Sequence, residues 1–257
     1  MIENVIVEPM TAGFIVWRCL HHGPVSPSTL DRLPSGSPLP WGLYQKRNVP
    51  LLAKLTRTYG SCAILAREGD RIVGQLRFYP RAVWNLEGAG GLCLQQDYPS
   101  GPIEDFADND FPPLSRMEDR TLAVHCLMTG SPQQRENPFQ RRGIGSRMAG
   151  CLIEWAAANG WERIEADAFE ELPVIYKITG SAGYRFWEKL GFTVADRYPH
   201  QDLQAEDPSA IDPQARDPFI AELEAQAKSA GISPARAKDK IVMRLDLRGK
   251  QKKLPGK

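Results

Sequence analysis

Apolar residues recur along this chain with two spacings, which sort it into strands and helices. Alternation through Cys62–Arg67 and Arg71–Phe78, with Glu68-Gly69-Asp70 between them, predicts a hairpin whose apolar faces carry Ile64, Ile72 and Val73. Asn4–Glu8 reads as a short first strand, and Leu122–Met128 as the strand after the hairpin. Arg163–Phe169 sets Ile164, Ala166 and Ala168 against Glu165, Asp167 and Phe169; Phe192–Ala195 begins another strand, and Ile241–Leu247 alternates last.

Helical spacing fills the intervals. Thr11 is placed to cap a helix carrying Phe14, Ile15, Trp17 and Leu20, and Leu43, Val49, Leu52 and Leu55 mark a second helix running to Gly60. Ile144, Met148, Leu152 and Trp155 place an amphipathic helix over Ser146–Asn159, with Asn159-Gly160 as its stop. Gly183, Phe186, Trp187 and Leu190 mark the buried side of a further helix. Asp217-Pro218 is a cap and first-turn pair for a helix with Phe219, Ile220, Leu223 and Ala227, ended by Gly231.

Two stretches break the pattern. Proline and serine crowd 23–40, while 88–119 is rich in glycine, proline and acid. Seven carboxylates (Asp97, Glu104, Asp105, Asp108, Asp110, Glu118 and Asp119) stand there against one base, Arg116. Such a run is a solvated acidic loop or a lid whose charge draws a cationic amine. The tail 248–257 is basic and expected to be loose.

Composition narrows the classes. The 257 residues are 42% hydrophobic, enough for a substantial core and unlike a disordered chain. A net charge of +1 argues against bulk attraction to nucleic acid or an anionic membrane, so function must lie in a site. Cys19, Cys62, Cys93, Cys126 and Cys151 form no Cys-x-x-Cys pair and no metal spacing with the histidines. No apolar run approaches the ~20 residues that span a bilayer. The expected setting is a soluble protein of the reducing cytoplasm.

The candidate chemistry centres on Gln140-Arg141-Arg142-Gly143-Ile144-Gly145, between the Leu122–Met128 strand and the following helix. A glycine turn opening a helix presents unpaired N–H groups at the positive end of the helix dipole, a seat for phosphate oxygens. A Walker loop is excluded, because Ser146, Arg147 and Met148 follow Gly145 where Lys-Ser/Thr is needed; a dinucleotide fingerprint needs a small residue in place of Met148.

The remaining pattern, Gln/Arg-x-x-Gly-x-Gly/Ala, resembles the pyrophosphate loop of the GNAT superfamily of acyl-coenzyme A dependent N-acetyltransferases. Further along, Trp187-Glu188-Lys189-Leu190-Gly191-Phe192 is similar to the Tyr-Glu-Lys-Leu-Gly-Phe segment that ends the family's last conserved helix. The resemblance implies an α/β (α+β) fold with a mixed central sheet of about seven strands flanked by helices. It implies a single domain over 1–257, with insertions at about 88–119 and 199–238.

It also implies acetyl-coenzyme A as co-substrate, with no metal, and direct attack by a small-molecule or protein amine, cationic if the acid run is a lid. Coenzyme contacts fall on Gln140, Arg141, Arg142, Gly143, Ile144, Gly145 and Ser146, on Cys126, Leu127 and Met128 beside the acyl arm, and on Ser181, near where the family carries asparagine. Base candidates are Glu118, Asp119, His125, Glu165 and Asp167, with Glu118 and His125 ranked first. Trp187 stands where the family has its acidic tyrosine, and indole cannot protonate a thiolate. Tyr184, one turn earlier, is the candidate substitute, the rival reading being a ring that only packs. Nucleic acid and membrane are not expected partners, and the resemblance admits a homodimer. Two other readings stay open: an acyl-coenzyme A sensor with weak catalysis, and transfer of a longer acyl chain.

Overall fold

Where alternation is cleanest the backbone pairs as expected. In a computed structural model, which describes residues 4–18, 20, 23–32, 41–84, 111–130, 137–175, 182–199 and 213–248, the chain divides into two compact units. The first comprises 1–164 and 246–257, and the second 165–245.

In the first unit, β1 (Val5–Pro9) pairs antiparallel with β2 (Ala63–Glu68), reached through α1 (Trp41–Tyr59). Gly69, at φ 61°, turns β2 into β3 (Arg71–Pro80). A short α2 (Arg81–Trp84) follows, and β4 (Thr121–Thr129) pairs antiparallel with β3. Next comes α3 (Ile144–Ala158), which starts two residues before the expected helix. Its buried side, Ile144, Met148 and Leu152, packs on the sheet at β1, β2 and β3, and each such side chain contributes roughly 1.5–3 kcal/mol relative to exposure. The approach is close at Gly74, where a Cβ would lie 3.0 Å from the Ala66 methyl and 3.1 Å from Met148. Phe78 meets Trp155 with ring centroids 5.0 Å apart.

The register of β3 on β4 shifts once. Arg77 lies opposite Cys126 and Phe78 opposite Val124, so His125 is an extra residue, a β-bulge. Below it, Leu76 and Gly74 face α3 with Leu127 and Thr129, while Gln75 and Arg77 share the other face with Met128 and Cys126.

β5 (Arg163–Ala168) begins in the first unit and continues in the second. The second unit then contains α4 (Tyr184–Glu188), β6 (Thr193–Pro199), α5 (Pro213–Ser229), α6 (Pro234–Ala237) and β7 (Asp239–Asp246), with β6 antiparallel to β7. Seven strands make one mixed sheet in the order β1-β2-β3-β4-β5-β7-β6. The late strand is thus the expected one, delayed by α5 and α6. These helices bury Phe219, Leu223, Ala227 and Ala237 against Phe169, Leu172, Val174 and Ile175. Among the described residues no helix is long and apolar enough to cross a membrane.

Two expectations fail. Residues 11–18 form turns and irregular chain instead of a Thr11-capped helix, because the carbonyls a helix would use are taken from elsewhere. Val16 O accepts from Gln75 Nε2 (3.3 Å) and Arg77 Nη2 (3.0 Å), and Trp17 O from Asn48 Nδ2 (3.1 Å). Helix α5 begins at Pro213, itself a favoured first-turn residue, so Pro218 lies inside it and is not its start.

Packing at Gly74 leaves no room for a side chain. Gly74→Val is expected to cost about 2 kcal/mol by overpacking against Ala66 and Met148, read as a lowered urea midpoint at unchanged slope. A variant as stable as the parent would show that α3 slides freely on β3.

Candidate functional site

The end of β4 and the start of α3 are tied together by one side chain. Asn137 donates Nδ2 to Thr129 O (2.6 Å), and its Oδ1 accepts from Phe139 N (3.0 Å), while its own carbonyl accepts from Gln140 N (3.2 Å). Gly130, at φ 64°, donates its N–H to Val73 O (2.7 Å), and a Cβ there would run into the Asn137 amide. Phe139 and Ile144 are buried, so the glycine turn is anchored on both sides and only its middle faces outward.

That middle has special backbone. Arg141 sits at φ 57° and Gly143 at φ 78°, both left-handed, and Gly143 is the N-cap residue of α3 with no side-chain cap. Among the described residues beyond its chain neighbours, nothing lies within 4 Å of where a Gly143 Cβ would stand. Among the described residues the first amides of this helix of 15 residues have no side-chain cap, with Arg141, Arg142 and Ser146 exposed around them and Gln140 and Gly145 half-buried. A phosphate-bearing ligand fits this opening. Arg147 does not join it, because its Nη2 donates to Val5 O at 2.6 Å.

Beside the turn, Cys126, Leu127 and Met128 are half-buried. The face that Cys126 and Met128 share with β3 is polar: Gln75, Arg77 and Tyr79 occupy alternate positions, all buried. His125 stands at the bulge with its ring 5.6 Å from Tyr79. Burial pushes the Tyr79 hydroxyl pKa well above the ordinary value, only partly offset by the adjacent Arg77 charge. Burial likewise raises the Cys62 thiol to about 11, against a hydrogen bond from Thr56 and the charge of Arg77. Neither group is an anion near neutral pH. Sequence reading missed Gln75 and Arg77, although their alternation with Gly74, Leu76 and Phe78 is visible there.

The other base candidates are occupied or remote. Asp119 holds Arg163 at 2.9 Å, Glu165 holds Arg244 at 2.6 Å, and Asp167 holds Lys240 at 2.6 Å. Glu118 is exposed and precedes β4, whose run from Thr121 to Cys126 alone spans about 15 Å.

In the second unit Tyr184 is half-buried, its hydroxyl accepting from Arg185 Nε at 3.3 Å. The Glu171 carboxylate caps this short helix, accepting from Arg185 N at 3.0 Å. Trp187 is only 2% exposed, between Phe186 and Phe192 with centroids 5.0 Å away on each side. It is a core residue, so one turn of helix separates two quite different surroundings. Ser181 lies outside the described residues, as do Asp97, Glu104, Asp105, Asp108 and Asp110 of the acid run. Among the described residues no group of three His, Cys, Asp or Glu could hold a metal ion.

No protein-family profile and no curated protein matches the chain. Solved structures are similar at low identity. An N-acetyltransferase from Staphylococcus aureus Mu50 aligns at 9% identity over 96% of this chain and 100% of its own, with a TM-score of 0.46. An agmatine N-acetyltransferase aligns at 15% identity over 95% and 100%, also with a TM-score of 0.46. The Drosophila melanogaster polyamine N-acetyltransferase aligns at 13% identity over 95% and 100%, with a TM-score of 0.43. Likenesses of this size carry no argument about activity.

The two left-handed glycines differ in what surrounds them. Gly143→Ala is expected to cost about 1 kcal/mol, the backbone term alone, since it faces open space. Gly130→Ala adds the collision with Asn137 and should cost about 2–4 kcal/mol in the same unfolding measurement. Equal losses would show that Asn137 does not clamp the turn.

Proposed function

We propose that this chain is an acyl-coenzyme A dependent N-acetyltransferase, one acyltransferase domain over 1–257, working in a reducing cytoplasm. The observation that carries the reading is the uncapped, outward-facing start of α3, with Gly143 left-handed and open, tethered by Asn137 to the end of β4. The amides from Arg141 to Ser146 hold the coenzyme's pyrophosphate, and Arg141 and Arg142 add charge. Among the described cysteines, Cys62 and Cys151 are unbridged thiols, which suits a reducing compartment.

Acetyl-coenzyme A would supply the acetyl group as a thioester, whose C–S bond breaks as the amine nitrogen forms a C–N bond to the carbonyl carbon. Cys126, Leu127 and Met128 are half-buried residues of β4 along which an extended arm can lie, and an N–H of this segment that β3 does not take would polarise the carbonyl. His125 accepts the proton that the acceptor's ammonium loses; it is favoured because Asp119, Glu165 and Asp167 are held in ion pairs and Glu118 is remote. Tyr184 is the hydroxyl assigned to return a proton to the departing thiolate. A small-molecule or protein amine is the acceptor.

Titration calorimetry with acetyl-coenzyme A should give a dissociation constant of about 1–100 μM, and Gly143→Val should weaken it at least about tenfold by closing the approach to the amides. No heat with the parent protein would end the proposal. His125→Gln should lower kcat about 100-fold with coenzyme affinity unchanged, whereas Glu118→Gln should leave kcat within about twofold. Binding without thiol release across a broad amine panel would move the chain to the second reading, a coenzyme-binding sensor.

A further inference from the structure

Resting on the acyl-transfer reading, we propose that Arg185 is the positioning residue of Tyr184: its guanidinium orients the phenol for proton transfer to the departing thiolate and compensates the phenolate that the transfer leaves. The two side chains touch, which adjacent residues of a helix do not ordinarily do. Arg185 Nε donates to the Tyr184 hydroxyl oxygen at 3.3 Å, and the guanidinium carbon lies over the ring, 5.9 Å from its centroid. The backbone beneath them is fixed. Tyr184 N donates to Phe169 O and Arg185 N to Glu171 Oε1, both at 3.0 Å, so the first turn of α4 is pinned to the chain that follows β5. Gly183 forms a parallel bridge with Phe169, and a Cβ there would run into the Glu171 carboxylate, so the bare glycine is what lets that carboxylate reach Arg185 N. With the backbone held, the rotation of the Tyr184 side chain is what Arg185 restricts.

A guanidinium carries N–H donors and no acceptor. A hydroxyl oxygen that accepts from one must point its own hydrogen elsewhere, so the Tyr184 proton is kept for a different acceptor. In the transfer the phenol O–H bond breaks and an S–H bond forms; the electron pair stays on the phenolate oxygen, and solvent later returns the proton. The hydrogen bond from Arg185 then joins opposite charges, which makes it stronger than the same bond to the neutral phenol. Its strength thus grows toward the state that the reaction must reach, which is the condition for an interaction to raise a rate. Arg185 does not compete as a proton source, because a guanidinium keeps its charge. The hydrogen bond with Tyr184 is the first cause holding the Arg185 pKa above its ordinary value, followed by the charges of Tyr184, Glu171 and Glu188. The assignment needs no unpaired cation: the nitrogen it uses is the one already spent on the phenol oxygen.

The test is a double-mutant cycle over Tyr184→Phe and Arg185→Met, run with acetyl-coenzyme A and the amine that the parent protein uses best. Tyr184→Phe should lower kcat about 100-fold and Arg185→Met about tenfold, with KM for the amine unchanged. Calorimetric affinity for acetyl-coenzyme A should stay at the parent value in both, which verifies folding. The double variant should match Tyr184→Phe within about twofold, because without the hydroxyl Arg185 has nothing to orient. Arg185→Lys, whose ammonium can still donate to the oxygen, should hold kcat within about threefold of the parent. A purely structural role would instead cost the same factor in both backgrounds. That result, or an Arg185→Met variant as fast as the parent, overturns the proposal and leaves acyl transfer standing. So does a Tyr184→Phe variant with the parent's kcat, which removes the acid itself. A parent protein that binds no acetyl-coenzyme A, or binds it and releases no thiol with any amine, ends this assignment together with the acyl-transfer reading.

Discussion

The antiparallel pairing of β3 with β4, interrupted by a single extra residue at His125, is the constraint from which the first unit takes its working geometry. Because side chains alternate across a strand, one register decides two faces at once. Gly74, Leu76 and Phe78 turn toward α3, and the absence of a side chain at Gly74 lets Met148 come down onto the sheet. Gln75, Arg77 and Tyr79 then have to face the other way, together with Cys126 and Met128. A slip of one residue would exchange the apolar and the polar face, burying guanidinium under α3. The bulge confines the irregularity to His125 and turns its ring toward Tyr79.

The second requirement is satisfaction of buried polar groups. Val16 and Trp17 give up helical hydrogen bonding, and their carbonyls serve Gln75, Arg77 and Asn48 instead. A strong local tendency to helix is thereby overridden by side chains from β3 and α1. Asn137 plays a comparable part after β4, where its amide bonds the Thr129 carbonyl and the Phe139 N–H and orders the approach to α3. Among the described residues the first amides of that helix have no side-chain cap, and on the proposed reading they take the coenzyme's pyrophosphate.

In the second unit charge is used structurally. Glu170, nearly inaccessible, is held by Arg197 of β6 at 2.8 Å and by Arg236 of α6 at 3.1 Å, so one carboxylate joins the inserted helices to the strand. Glu165 and Asp167 are spent in the same way on β7. Two of the carboxylates that the sequence offers as bases are thus held in ion pairs that join β5 to β7.

Periodicity alone determined the order and type of most elements, because alternation and helical spacing are properties of neighbours in the chain. The strands from β1 to β7, the helix after the glycine turn and the delay before β7 were legible in this way. The glycine turn itself was legible because left-handed backbone at a helix start demands glycine at a fixed place. What only the tertiary structure decided depends on residues distant in sequence. The irregular course of 11–18 reflects donors 59 and 61 residues away, and the burial of Gln75 and Arg77 reflects the same contacts. The position of the bulge, the clamp by Asn137 and the core placement of Trp187 likewise follow from packing partners that no local spacing specifies.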